Sequence, residues 1–167
     1  MAVRPIRFIP DHVLRKRTQR VREIDDSIQQ LIDDMVETMR DAPGVGLAAN
    51  QVGIPLRLCV IEIPEEDSVR VLINPQVVSR EGEREVDEGC LSIPGYRGVT
   101  LRSLKIKVRA LDRQGKPFQI KAEDNLLAQA LEHEIGHLNG GFYIDHLVDK
   151  DSIWKIGEEP APAEDKP

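Results

Sequence analysis

Apolar residues recur at spacings of three and four along residues 24–40, at Ile24, Ile28, Leu31, Ile32, Met35 and Met39. That period predicts an amphipathic helix with one buried stripe. Asp25 and Asp26 stand near its start, where the helix dipole favours negative charge, and Pro43-Gly44 closes it. The pattern then changes. Residues 56–63 and 69–73 are apolar, β-branched runs separated by a polar PEEDS turn, and Val77-Val78 continues them. In 105–111, Ile106 and Val108 alternate with three cations, as in a half-buried antiparallel strand. Arg113-Gln114-Gly115-Lys116 reads as a hairpin connection into 118–122. A second helix follows Asp124 or Asn125 as cap, with Leu126, Leu127, Ala130, Leu131, Ile135 and Leu138 on its apolar face, and stops at Asn139-Gly140-Gly141. The expected fold class is α+β, with antiparallel β-sheets around this central helix and the amphipathic helix N-terminal to them. Residues 1–155 are expected to form a single catalytic domain, and 156–167 a disordered, acidic, Pro-rich tail.

Composition narrows the function. Lys plus Arg number 23 against 29 Asp plus Glu, a net charge of −6, which argues against direct nucleic-acid binding. The cations Arg15, Lys16, Arg17, Arg20 and Arg22 cluster, but beside an acidic helix they read as a solvated face. No stretch is long and apolar enough for a membrane span, and Arg4, Pro5 and Arg7 interrupt the start where an export signal needs an apolar run. The expectation is a monomer that stays where it is made: a bacterial-type cytoplasm, with a mature organellar form left open. Of the two cysteines, Cys59 sits in the apolar run LRLCVIEI as a small hydrophobe, whereas Cys90 lies among Glu88, Gly89 and Ser92.

The chemistry concentrates in His133-Glu134-Ile135-Gly136-His137, an HExxH pattern. On a helix the two imidazoles lie one turn apart on one face and can share a metal ion, with Glu134 beside them for proton transfer. A catalytic metal site takes three protein ligands and an open position. The longer pattern HExxHxxGxxH fails, because Tyr143 occupies its last slot and His146 falls at the wrong spacing. Cys90 is the best remaining third ligand, since a metal deprotonates a thiol outright.

Three segments in order resemble the motifs of peptide deformylases: Gly44-Val45-Gly46-Leu47-Ala48-Ala49-Asn50-Gln51, then Glu88-Gly89-Cys90-Leu91-Ser92, then the HExxH helix. The resemblance spans roughly residues 5–150. It implies removal of the N-formyl group from the initiating methionine of nascent proteins, with release of formate. It implies Cys90, His133 and His137 as ligands of one divalent ion, expected to be Fe²⁺ in the cell with Zn²⁺, Ni²⁺ or Co²⁺ able to replace it. It implies Glu134 as the acid/base, and Gln51 with the Leu91 N–H as the oxyanion hole. Gly44, Gly46 and Gly89 are expected to admit an extended peptide, and Val45, Leu91 and Ala130 to line a methionine pocket, with Gln129 near its wall. The implied partners are N-formyl-methionyl peptides and nascent chains, in transient proximity to the ribosome. Some relatives dock there through a basic C-terminal helix, which an acidic, Pro-rich end does not support.

One position departs from the family pattern. Gly136 stands where an aspartate is usual, one that would pair with an arginine such as Arg102. The glycine is expected to soften the metal-bearing helix and weaken its grip on the ion relative to a Gly136→Asp protein. Two other readings remain open on the sequence. The HExxH pattern also fits a zinc endopeptidase, and a non-catalytic metal-binding or ribosome-associated module would explain Gly136 as lost function.

Overall fold

The structure, a computed structural model, describes residues 2–158. The first predicted helix is α1, Asp26–Asp41, capped by the Asp25 side chain, which accepts from the Ile28 N–H. Five strands form one antiparallel sheet: β1 (Gly46–Ala48), β2 (Leu58–Ile61), β3 (Arg70–Glu81), β6 (Lys105–Leu111) and β7 (Pro117–Glu123), in the order β1-β2-β3-β6-β7. A second antiparallel sheet, ordered β4-β5-β8, is built from β4 (Arg84–Cys90), β5 (Ile93–Arg102) and β8 (Ile153–Lys155). Helix α2, Leu126–Leu138, is capped by Asn125.

Strand alternation divides the core. In β2, Cys59 and Ile61 face one side and join Leu72, Ile106, Val108 and Ile120 against Leu127, Leu131, Ile135 and Leu138 of α2. Leu58 and Val60 face the other side and pack with Ile28, Leu31, Ile32, Met35 and Met39 of α1. The five-stranded sheet is therefore covered on both faces by the two predicted helices. Cys59 is fully buried and free, as a small hydrophobe should be. A third cluster, Leu14, Ile93, Phe142 and Tyr143, packs beside the smaller sheet and behind the HExxH helix.

The periodicity assigned no strand to residues 84–102, yet β4 and β5 form a hairpin there with Cys90 opposite Ile93. Charged Arg84, Glu85, Asp87 and Glu88 hide the alternation, and Gly89, Gly95 and Gly98 punctuate it like a loop. α2 ends at Asn139, and Gly140 takes φ +83°, the left-handed turn expected for it. A side chain at Gly140 would also run into the Arg15 carbonyl, so glycine is needed there twice over. Beyond β8, the Ile156 N–H donates to the Gly95 carbonyl at 2.9 Å, and the remainder of the predicted tail, 159–167, lies outside the described residues. No helix among the described residues is long and apolar enough to cross a membrane.

Candidate metal centre and cleft

The i, i+4 spacing on α2 brings the His133 and His137 Nε2 atoms to 3.1 Å from each other. The β4–β5 hairpin delivers Cys90 to the same point, its Sγ lying 3.2 Å from His137 Nε2. The three donor atoms all fall within 4.8 Å of one another. Tetrahedral zinc-like bond lengths imply edges of about 3.3 Å between nitrogens and about 3.6 Å between sulfur and nitrogen. The donor set therefore fits one ion. His146, the histidine at the wrong spacing, is not part of this group.

Both histidines are held from behind. His133 Nδ1 lies 2.7 Å from Glu88 Oε1, and a carboxylate there accepts the Nδ1 proton, leaving Nε2 free to ligate. Glu88 is itself 2% exposed and accepts two bonds from Arg102, Nε at 2.7 Å and Nη2 at 2.9 Å, and one from the Thr100 hydroxyl. Burial alone would raise its pKa, but the His133 and Arg102 hydrogen bonds outweigh this and hold it down at about 2. Arg102 thus has its hydrogen-bonding partner in Glu88. Asn50 Nδ2 donates to the His137 carbonyl at 2.6 Å, tying the last turn of α2 to the glycine segment. The ring of Tyr143, which fills the last slot of the unmatched longer pattern, stacks on His133 at 6.4 Å between centroids. Phe142 meets His137 edge-on.

Glu134 is 3% exposed, and its Oε1 has no hydrogen-bond partner among the described residues. Burial raises its pKa to about 7, which suits a group that takes and returns a proton near neutral pH. Its carboxylate occupies the space left by the missing side chain of Gly46. Gly44 likewise makes room, for Leu91, whose Cδ1 would lie 2.9 Å from a Cβ there. The Gln51 side chain accepts from the Ala48 N–H at 2.9 Å, while its Nε2 lies 3.0 Å from Ser92 Oγ and 3.7 Å from Cys90 Sγ.

These groups line a cleft of about 490 Å³. Gly44, Val45, Gly46, Gln51, Gly89, Cys90, Leu91, Ala130, His133 and Glu134 all contribute to its wall, so of the residues singled out in the sequence only His137 lies behind it. Gln129 reaches the same wall and donates to the Asp87 carbonyl at 3.0 Å. Sequence reasoning did not assign parts to Glu88, Arg97, Tyr96 or Ile156, which also line the cleft. Glu88 reaches the metal side across a register shift that separates it from Cys90 in the β4–β5 pairing, which no local pattern announces.

A family model described as polypeptide deformylase matches residues 3–152. The chain belongs to the polypeptide deformylase family. It is 52% identical over 159 residues to a peptide deformylase of Dehalococcoides mccartyi strain CBDB1, covering 95% of each chain. The crystal structure of a Legionella pneumophila peptide deformylase superposes with a TM-score of 0.85 at 50% identity, over 87% of this chain and 86% of that one. A Synechococcus elongatus peptide deformylase, crystallised with actinonin, gives 0.83 at 39% identity, over 87% and 79%. Peptide deformylases are metal-dependent hydrolases that remove the N-formyl group from nascent peptides, and this chain is an enzyme of that kind. The endopeptidase and non-catalytic readings are not favoured.

Proposed function

We propose that Cys90, His133 and His137 hold the catalytic ion, that Glu134 moves the proton, and that Gln51 and the Leu91 N–H receive the developing oxyanion. The observation that carries this reading is the convergence of a hairpin thiol and two helical imidazoles, 3.2 Å and 3.1 Å apart, beside a buried carboxylate. A bound divalent ion supplies Lewis acidity, polarising the formyl oxygen and making water a stronger acid. Glu134 accepts the proton of the attacking water and returns it to the departing amine, so that formate and a free N-terminus result. As charge grows on the formyl oxygen, Nε2 of Gln51 turns from Ser92 towards it, an interaction worth about 3 kcal/mol per donor in other enzymes. Gly44 and Gly89 leave the backbone approachable, so the peptide adds along Val45 and Gly46 like a further strand. Val45, Leu91 and Ala130 form the apolar wall for the methionine side chain.

Fe²⁺ is the ion in the cell, and Zn²⁺, Ni²⁺ or Co²⁺ fits the same donors. Residues 1–155 act as one catalytic domain and as a monomer, on formyl-methionyl nascent chains close to the ribosome. The test is formate release from formyl-Met peptides by anaerobically prepared Fe²⁺ protein. Release from formylated peptides with the chain left intact is the expected result. Internal cleavage without formate would instead favour an endopeptidase.

A further inference from the structure

On the far side of α2 from the substrate cleft lies a second cleft of about 590 Å³, lined by Arg80, Arg102, Ser103, Glu132, Gly136 and His146, among others. It reaches the support of the metal ligand from behind. Arg102 is 4% exposed, with Nε and Nη2 spent on Glu88, while Nη1 makes no hydrogen bond among the described residues. Gly136 offers no side chain to that cleft, and a Cβ built there would enter open space, with nothing within 4 Å. Glu132 stands one turn earlier on the same face. Its Oε2 lies 4.0 Å from Arg102 Nη1, and its Oε1 accepts the Ser103 N–H at 2.8 Å. Its side chain is only 9% exposed, an unusual place for a carboxylate that serves solubility alone.

We propose that Glu132 is a positioning residue for the metal ligand His133, acting through Arg102 and Glu88. It supplies from one turn earlier the carboxylate that position 136 lacks. The Glu132 charge, 4.0 Å from Nη1, favours the orientation in which the guanidinium fork stays aligned with Glu88, and an aligned Glu88 fixes the His133 ring and tautomer. With one carboxylate gone, water in the open cleft competes for Nη1 and the fork loosens. The weaker metal grip expected from Gly136 alone is accordingly offset by Glu132. This inference rests on the metal reading above.

The test compares wild type, E132Q, G136D and E132Q/G136D as Co²⁺-loaded proteins. Glutamine keeps an oxygen for the Ser103 N–H and removes only the charge, which separates positioning from anchoring. E132Q is expected to release Co²⁺ to a chelator about 10-fold faster, the low end for groups behind a metal ligand. Its cobalt absorption bands should shift, and kcat should fall with KM unchanged. Adding G136D to E132Q restores a carboxylate on the same helix face and should bring release to within about twofold of wild type. G136D alone should also stay within about twofold. Release and spectrum unchanged in E132Q would overturn the proposal, as would a loss that G136D fails to rescue. A wild-type cobalt protein lacking a thiolate charge-transfer band would instead overturn the metal reading, and this inference with it.

Discussion

Gly46→Ala isolates the placement of Glu134 from every other part of the site. A Cβ at position 46 would lie 2.8 Å from Glu134 Cδ and 2.9 Å from its Cγ, where ordinary contact begins at 3.4 Å. The carboxylate must therefore retreat by at least ~0.6 Å, and its oxygens further. Misplacing a catalytic group by about 1 Å costs on the order of 100-fold, so kcat should fall roughly 30–100-fold, about 2–3 kcal/mol of barrier. Gly46 lies in β1, opposite Ile61, in a conformation alanine also adopts, so the strand itself should not suffer. Alanine there contributes about 0.5–1 kcal/mol over glycine, offsetting part of the crowding. None of Cys90, His133 and His137 is displaced, so metal content should match wild type. The assay is steady-state formate release with metal quantified in the same sample. A Gly46→Ala enzyme with kcat within about threefold of wild type, beside an inactive Glu134→Ala, would show that the position of Glu134 is not confined as argued.

Glu134→Ala should retain metal while deformylation falls by about 10²–10⁴-fold, the range of a lost general acid/base, and surviving activity would reassign the proton. Glu88 tests the support of His133 through pH. Its folded pKa of about 2 lies below the ordinary 4.5, so its contribution to stability is present above about 4.5 and lost as pH falls towards 2. Denaturant titrations should therefore show Glu88→Gln less stable by about 3 kcal/mol at pH 7, with the gap narrowing through pH 4 to 3. A gap that stays constant with pH would deny the depressed pKa. Leu131→Ala, at a fully buried position facing the five-stranded sheet, should cost about 2–5 kcal/mol in the same titration.

Much of this was legible in the sequence because periodicity and spacing carry geometry. The helical stripe from Ile28 to Met39 became the buried face of α1, and 105–111 became β6 with its predicted ends. The i, i+4 histidines converge because a helix leaves them no alternative. What escaped reading depended on tertiary partners. The β4–β5 hairpin carries six charged residues and three glycines between 84 and 102, because Arg84, Glu88, Arg97 and Arg102 form ion pairs from it instead of presenting an apolar face. The distance from Cys90 to the histidines has no local signature, since 42 residues and strands of two sheets intervene between Cys90 and His133. Nor does any spacing say that Gly46 yields its space to a carboxylate from another element.

X-ray absorption on the metal-loaded wild-type protein tests the central assignment most directly. The expected spectrum contains one sulfur at about 2.3 Å and two imidazole nitrogens at about 2.0–2.1 Å, and the sulfur signal vanishes in Cys90→Ser. A sulfur-free coordination sphere in the wild type, or a sulfur signal that survives in Cys90→Ser, would contradict it.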